Sequence, residues 1–507
     1  MPLIPPHPNP NPTPPQERFE LAVKRHTRHP SSASDPRANL ARCFALAHGA
    51  ALGLAPSSQR LSFYNADEEY DRQGIKNPLS HWRISEANLN YELCPSYPRV
   101  LAVPMRVSDQ MLHRAAAFRS GRRLPVLSWK DTASAASICR CSQPMVGVAK
   151  SRSSHDEALL QAIVDTNPHR EALLIIDCRP RMNAELNHAK GKGYEHPAQY
   201  LNTKLTFASI DNIHVMRVSL RALLNLLSAE AVQSGAREKD FLSELERCGW
   251  MEHLRKVLIA ATQVAHAVHR ENFSVLIHCS DGWDRTAQVS ALAQLMLDHT
   301  FRTRRGFEAL VEKEWVEFGH QFALRCGTVA PIERGGVHAA PSDEQLSPIF
   351  LQFVDCVWQL SQQWPTAFEF NSHYLASLLY HLTSGLHATF MANCERQRSQ
   401  LRLCERAACV WRSLDGDQYR NQAFIKSEAV LFPELGGVAL QPWLAYYCRG
   451  SDCLRPDPLV LAEARCATLV CENEQLHERL RAALAGRRDK PEGQVTLKAL
   501  RNEPAAG

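Results

Sequence analysis

Apolar residues cluster along this chain at two spacings. Leu173-Leu174-Ile175-Ile176-Asp177 and Phe273-Ser274-Val275-Leu276-Ile277 are short, nearly continuous apolar runs bounded by polar residues, as expected of strands buried on both faces. Trp250 to Arg270, Ala287 to Leu297, Phe350 to Trp364 and Ala376 to Cys394 carry the longer helical period. Strands alternating with helices predict an α/β domain. The dense pattern runs from about residue 70 to 450 without a long low-complexity break, so 70–450 reads as one domain. Thr328 to Ser347, rich in glycine, proline and mixed charge, reads as a loop within it.

The flanks differ. Residues 1–37 are dominated by Pro, Ser, His and Arg and are expected to be disordered or extended. A short apolar stretch, Leu40 to Leu54, falls in 38–69. Near the other end, Leu459, Cys466, Asn473 and Leu480 share one heptad position, and Ala462, Leu469, Leu476 and Ala483 share the other. A helix over 456–486 follows. It is either a parallel coiled coil, homodimeric or with a related chain, registered by Asn473, or a single amphipathic helix packed on its own domain. The stretch 487–507 is polar and expected to be disordered.

Composition narrows the possibilities modestly. A net charge of +5, from 58 basic and 53 acidic residues, is too slight to argue for nucleic acid, and it allows local basic patches that meet anionic lipid. The 16 cysteines are scattered, with no paired CxxC units at zinc spacing, and read as reduced thiols with no metal site. No apolar run approaches the length of about 18 residues that a membrane span needs, so membrane contact is expected to be peripheral.

The candidate chemistry sits between the second apolar run and the helical pattern after it. His278-Cys279-Ser280-Asp281-Gly282-Trp283-Asp284-Arg285-Thr286 is a cysteine, five residues, then an arginine, in a strand–loop–helix context. Such a turn aims backbone N–H groups and a helix N-terminus at one point, where an anion fits. Helix N-termini and cations favour a thiolate, and an arginine grips phosphate with two parallel hydrogen bonds. Cys279 then attacks phosphorus. The loop N–H groups from Ser280 through Gly282 and Trp283, with the Arg285 guanidinium, stabilise the equatorial oxygens. Asp281 or Asp284 protonates the leaving oxygen, and Thr286 is placed to hydrogen-bond the departing sulfur. One of the two aspartates could instead brace the loop backbone. Two carboxylates in a phosphate loop disfavour a densely phosphorylated ligand. They suit one reacting phosphate among hydroxyls, as on an inositol ring.

With these residues in place, the string HCSDGWDRTAQ resembles the signature of the myotubularin family of phosphoinositide 3-phosphatases. Similar matches include Tyr70-Asp71-Arg72-Gln73-Gly74-Ile75, Cys94-Pro95-Ser96-Tyr97-Pro98, Pro125-Val126-Leu127-Ser128-Trp129, Arg140-Cys141-Ser142-Gln143-Pro144, Asp211-Asn212-Ile213-His214 and Ser347-Pro348-Ile349-Phe350. The resemblance covers roughly residues 60 to 400. It implies a cysteine-phosphatase-like domain with a central mixed sheet flanked by helices. It further implies action on phosphatidylinositol 3-phosphate, and on the 3,5-bisphosphate, at endosomal membranes from the cytoplasmic side, without a cofactor. By position, Asn187, Asn212 and Ile213 resemble the inositol-contacting residues of that family, and Arg325 one of its basic ligands. The segment 38–69 would be a remnant of the family's N-terminal PH-GRAM-like module. Gln321 stands where the family usually has Lys or Arg, which implies weaker handling of a second phosphate. Two other readings remain at this point. One is a catalytically weak adaptor partnering active paralogues. The other is a protein tyrosine phosphatase, although Trp364-Pro365 is followed by Thr366 and lacks that class's acid.

Overall fold

The computed structural model describes residues 64–228, 241–327, 343–436 and 439–449. The segments 1–37, 456–486 and 487–507, and all but the last six residues of 38–69, lie outside the described residues. So does most of the predicted loop between Thr328 and Ser347. Contacts divide the chain into two units, 1–450 and 451–507, and the description concerns the first.

Among the described residues, seven strands form two sheets. Strands β1 (Trp82–Ser85) and β2 (Leu101–Pro104) pair antiparallel on their own. Strands β3 (Val126–Lys130), β4 (Ser137–Ser142), β5 (Leu173–Asp177), β6 (Thr203–Phe207) and β7 (Ser274–Cys279) form a five-stranded sheet in the order β3-β4-β7-β5-β6. All its pairs are parallel except β3–β4. The sheet is mixed and helix-flanked, as the resemblance implied. The central strand β7 is buried along its whole length, which is why its sequence is almost unbroken apolar. Its C-terminal end is Cys279, the position where α/β sheets characteristically open toward a ligand.

The helices used below are α1 (Ser154–Val164), α2 (Arg181–Leu186), α3 (Ile213–Leu226), α4 (Trp250–His269), α5 (Arg285–Leu297), α6 (Phe322–Cys326), α7 (Ile349–Gln363) and α8 (Ser372–Ser384). The periodicity places α4, α5 and α7 within two residues of their observed ends. The expected helix Ala376 to Cys394 is shorter and starts earlier. It stops at Ser384, where Gly385 turns left-handed at φ 68°, and Ala388, Phe390, Met391 and Cys394 are buried in irregular backbone instead. Trp364 caps α7, so Trp364-Pro365 is a helix end.

Helix α5 packs along α4 and is buried from Thr286 through Met296. A helix enclosed on all sides must satisfy its polar residues internally. Gln294 donates to the Ser128 and Ser290 hydroxyls at 3.0 Å each, and Gln288 donates to Gln352 at 2.8 Å. Ser128 reaches this helix from a register shift in β3, and its hydroxyl also donates to Glu314 at 2.6 Å. Glu314 belongs to a π-helical turn, Glu312–Glu317. It pairs with Arg140 of β4 at 2.8 Å, both side chains fully buried.

Removing one member of such a pair leaves the other charge buried and alone. Arg140→Met is therefore expected to cost roughly 3–5 kcal/mol of folding stability, measured by denaturant unfolding. A loss below about 1 kcal/mol, the size of a surface pair, would contradict this account of the core.

Candidate active site

The loop after β7 is shaped by its glycine. Gly282 has φ 77°, and a Cβ there would lie 2.3 Å from the Cys141 carbonyl oxygen, so only glycine fits. Its carbonyl oxygen is turned into the protein, where it accepts from Arg123 Nη2 at 2.9 Å and Arg140 Nη2 at 2.8 Å. Its N–H faces the opposite way and donates to Cys279 Sγ at 3.3 Å. The next residues lead directly into α5, so the helix N-terminus closes the loop. Thr286 Oγ1 is buried and has no hydrogen-bond partner among the described residues.

Beside the loop is a cleft of about 250 Å3 lined by Arg179, Asn183, Leu186, Asn187, Lys190, Asn212, Ser280 and Arg285. Of the residues singled out from the sequence, it brings together Ser280, Arg285, Asn187 and Asn212. Arg285 donates to the Ile210 carbonyl at 3.1 Å, which fixes its guanidinium at the wall. Asn212 is also the N-cap of α3, its side chain accepting from His214 and Val215 N–H groups. Ile213 is the first residue of α3 and does not line the cleft. Its carbonyl accepts from Ser347 Oγ at 2.8 Å. Trp283 is half-buried, and the Arg123 guanidinium lies 5.6 Å from its ring centre.

Four cleft residues escaped the sequence reading: Arg179, Asn183, Leu186 and Lys190. Asn183 and Lys190 share one helical face with Asn187, and that four-then-three spacing was a usable signal. Arg179 had none. It carries two hydrogen bonds to Asp177 through Nε and Nη2, and a third to the Gln143 side chain, all within the floor of the site.

The two loop carboxylates occupy different surroundings. Asp284 is buried, 2.7 Å from Arg325 Nη2 and 3.1 Å from His320 Nδ1. Burial opposes its charge, yet Arg325 and His320 hold its carboxyl well below the usual aspartate range. Arg325 is thus turned onto Asp284 and Gln345 and does not line the cleft. Asp281 is about a third exposed, accepting from Ser120 Oγ at 3.1 Å with Lys192 4.0 Å away. Gln321 spends its amide on the Gly319 carbonyl at 2.9 Å and the Asn393 carbonyl at 3.4 Å. Among the described residues, no group of three or more His, Cys, Asp or Glu side chains is placed to hold a metal ion.

Behind the loop lies a second charged layer. His278 Nε2 is 3.0 Å from Glu195 Oε2, an ion-pair contact outside hydrogen-bond angles, and both side chains are fully buried. Glu195 also accepts from Arg119 at 2.5 Å, and Arg119 pairs with Asp156 of α1 at 2.7 Å. Burial disfavours both ions, but Glu195 and Asp177 raise His278 above the usual histidine range, while His278 and Arg119 hold Glu195 well below the usual carboxylate range.

An imidazolium favoured by folding contributes fully below its unfolded value of about 6.5, and that contribution fades as pH rises through the raised value. A carboxylate held low contributes fully above about 4.3 and fades as pH falls. The pair therefore stabilises most between pH ~4.3 and ~6.5. Glu195→Gln should lower the melting temperature most in that window and less toward pH 8. A loss independent of pH, read from melts across pH 4 to 8, would argue against the ion pair.

Comparison with known proteins places this site in context. The Myotubularin-like phosphatase domain model matches residues 44–399. Rat (Rattus norvegicus) myotubularin is 46% identical over 400 residues, 78% of this chain and 64% of that protein. The Bos taurus phosphatidylinositol-3,5-bisphosphate 3-phosphatase MTMR2 is 46% identical over 396 residues, 78% of this chain and 59% of that protein. Xenopus tropicalis myotubularin is 43% identical over 427 residues, 82% and 68% of the two chains. The chain thus spans about three fifths of the length of the first two relatives. With its cysteine loop at the end of β7 and a family match across most of the described domain, the chain belongs to the myotubularin-related phosphatase family.

Proposed function

We propose that this protein is a phosphoinositide 3-phosphatase whose principal substrate is phosphatidylinositol 3-phosphate. The carrying observation is the Gly282 N–H aimed at Cys279 Sγ beside a cleft of Arg285, Ser280, Asn187, Asn212 and Lys190. A thiolate, an inverted backbone turn and a guanidinium form a phosphate cradle. The amide side chains beside it suit ring hydroxyls.

In this reading Cys279 Sγ attacks the phosphorus, an S–P bond forms and the P–O bond to the ring breaks. The loop N–H groups and Arg285 take the charge of the equatorial oxygens. The departing ring oxygen receives a proton from a loop carboxylate. Water then cleaves the S–P bond, releasing inorganic phosphate and the thiol, toward which the unpartnered Thr286 hydroxyl supplies a hydrogen bond. Asp281 is open to solvent as it stands. Asp284 serves only once Arg325 is drawn off it by an anionic group of the substrate, because a carboxyl held as its anion by Arg325 and His320 has no proton to release.

Lipid as substrate is further supported at the cleft edge. Leu186 lines the cleft while 65% exposed, and Met182, a turn earlier on α2, is 72% exposed. No described helix is long and apolar enough to cross a membrane, so this reading places the domain peripherally on the lipid surface. The name of the MTMR2 relative carries the bisphosphate. Here Gln321, with its amide engaged by carbonyls, offers a second phosphate no charge, which supports the monophosphate.

Purified protein is expected to release phosphate from phosphatidylinositol 3-phosphate, and Cys279→Ser to lower turnover by at least about 10³-fold. Activity on phosphotyrosine peptide with none on the lipid would instead make it a tyrosine phosphatase. Inertness on both, with lipid or paralogue binding retained, would make it an adaptor. Gln321→Arg should raise the ratio of bisphosphate to monophosphate turnover. Equal ratios in parallel assays would remove Gln321 from substrate choice.

A further inference from the structure

Strand register brings a second cysteine to the nucleophile. Strand β5 runs parallel to β7 with Asp177 opposite His278. The ladder continues one residue further, where the Cys178 N–H donates to the His278 carbonyl at 2.8 Å. In a parallel pair that bond sets Cys178 opposite Cys279. Adjacent strands lie about 4.8 Å apart and opposed residues direct their side chains to the same face. Disulfides form across Cα separations of roughly 4.4–6.8 Å, so this position is within bridging range. On the other flank of Cys279 the register supplies Ser142, and Cys141 sits one step back, opposite His278, on the other face. Cys178 is fully buried. Burial pushes its thiol well above the usual cysteine range, and the adjacent Cys279 adds to that rise.

We propose that Cys178 is a resolving thiol for Cys279, making the pair a site of reversible oxidative modification by hydrogen peroxide. The inference rests on Cys279 being the reactive thiolate of the proposed function. Peroxide is small and uncharged and enters where phosphate would. The Cys279 thiolate attacks one peroxide oxygen; an S–O bond forms, the O–O bond breaks, and hydroxide leaves with a proton as water. The sulfur is oxidised to the sulfenic acid and the peroxide is reduced. Cys178 then attacks that sulfur; the S–S bond forms, the S–O bond breaks, and the departing hydroxide takes the Cys178 proton as a second water. The bridge removes the nucleophile from the site. It also keeps Cys279 from the irreversible sulfinic and sulfonic states, and a dithiol reductant restores it.

A buried high-pKa thiol is a poor target for free oxidant but a good intramolecular partner, because the neighbouring sulfenic acid is present at high effective concentration. Other charged groups close enough to act on Cys178 are Arg285 and Arg179, with Asp177 one step back on the other face, opposite His278.

The test uses the full chain, brief hydrogen peroxide treatment, an N-ethylmaleimide quench and non-reducing digestion with mass spectrometry. The expected product is a peptide containing Cys178 joined to one containing Cys279, lighter than their sum by two hydrogens. Phosphatase activity toward a soluble aryl phosphate should fall with its appearance and return on dithiothreitol. Cys178→Ala should keep basal activity. After peroxide it should carry sulfinic and sulfonic Cys279 and regain severalfold less activity on reduction. Inactivation of the wild type without the Cys178–Cys279 peptide, or with Cys279 joined elsewhere, overturns the proposal. That result does not depend on the variant folding. A linked pair in a protein inert toward the lipid would sink the lipid reading alone, and full lipid turnover without linkage would sink this one alone.

Discussion

The structure depends on one reversed peptide. A loop that gathers N–H groups around an anion must send its carbonyl oxygens elsewhere, and a buried carbonyl without a donor is costly. Gly282 resolves this by taking a left-handed conformation and passing its oxygen to Arg123 and Arg140. Two buried guanidiniums then need counter-ligands of their own. Arg140 finds Glu314, and Arg123 finds the Ser96 hydroxyl and the Phe318 carbonyl, with the Tyr97 ring 4.4 Å from its centre. The π-helical turn, the shifted register of β3 and the polar residues inside α5 all follow from housing these charges. The cysteine loop is the inner face of a structure whose outer face is arginine.

A similar division separates the two aspartates. They are three residues apart, yet one is locked by Arg325 and His320 and the other reaches water. Beneath them, the chain from His278 through Glu195 and Arg119 to Asp156 ties the strand that ends in Cys279 to α1, so the thiol sits on a floor of alternating charges.

Much of the scaffold was legible because burial on both faces leaves an almost purely apolar run, as in β5 and β7, and because α4, α5 and α7 keep a helical period over several turns. The segment after Ser384 misled for the opposite reason: Ala388, Phe390 and Met391 face the core from irregular turns whose spacing imitates a helix. In the site, the cysteine loop was legible because its parts are contiguous. Glu195 and Arg179 were not, since each acts through partners distant in sequence and neither lies in a periodic stretch. Arg325 read by position as a basic ligand, but position carries charge and not orientation; the fold shows it turned onto Asp284. The likeness of Asp281 and Asp284 in sequence conceals a difference made by residues 120, 320 and 325.

The Gly282 support has a consequence for the order in which the molecule is assembled. Its donors come from positions 123 and 140, its counter-charge from 314, and the side chains on Asp284 from 320 and 325. The arginine contacts on Gly282 span 159 and 142 residues, while those on Asp284 from Arg325 span 41, and the longer closures come late in folding. Glu314, the counter-charge of Arg140, follows the loop in the chain, so the support of the turn is completed only after β7 and α5 have been made. The cysteine loop is thus among the last parts to take its native shape, and a chain cut short of residue 325 would hold the signature without the geometry.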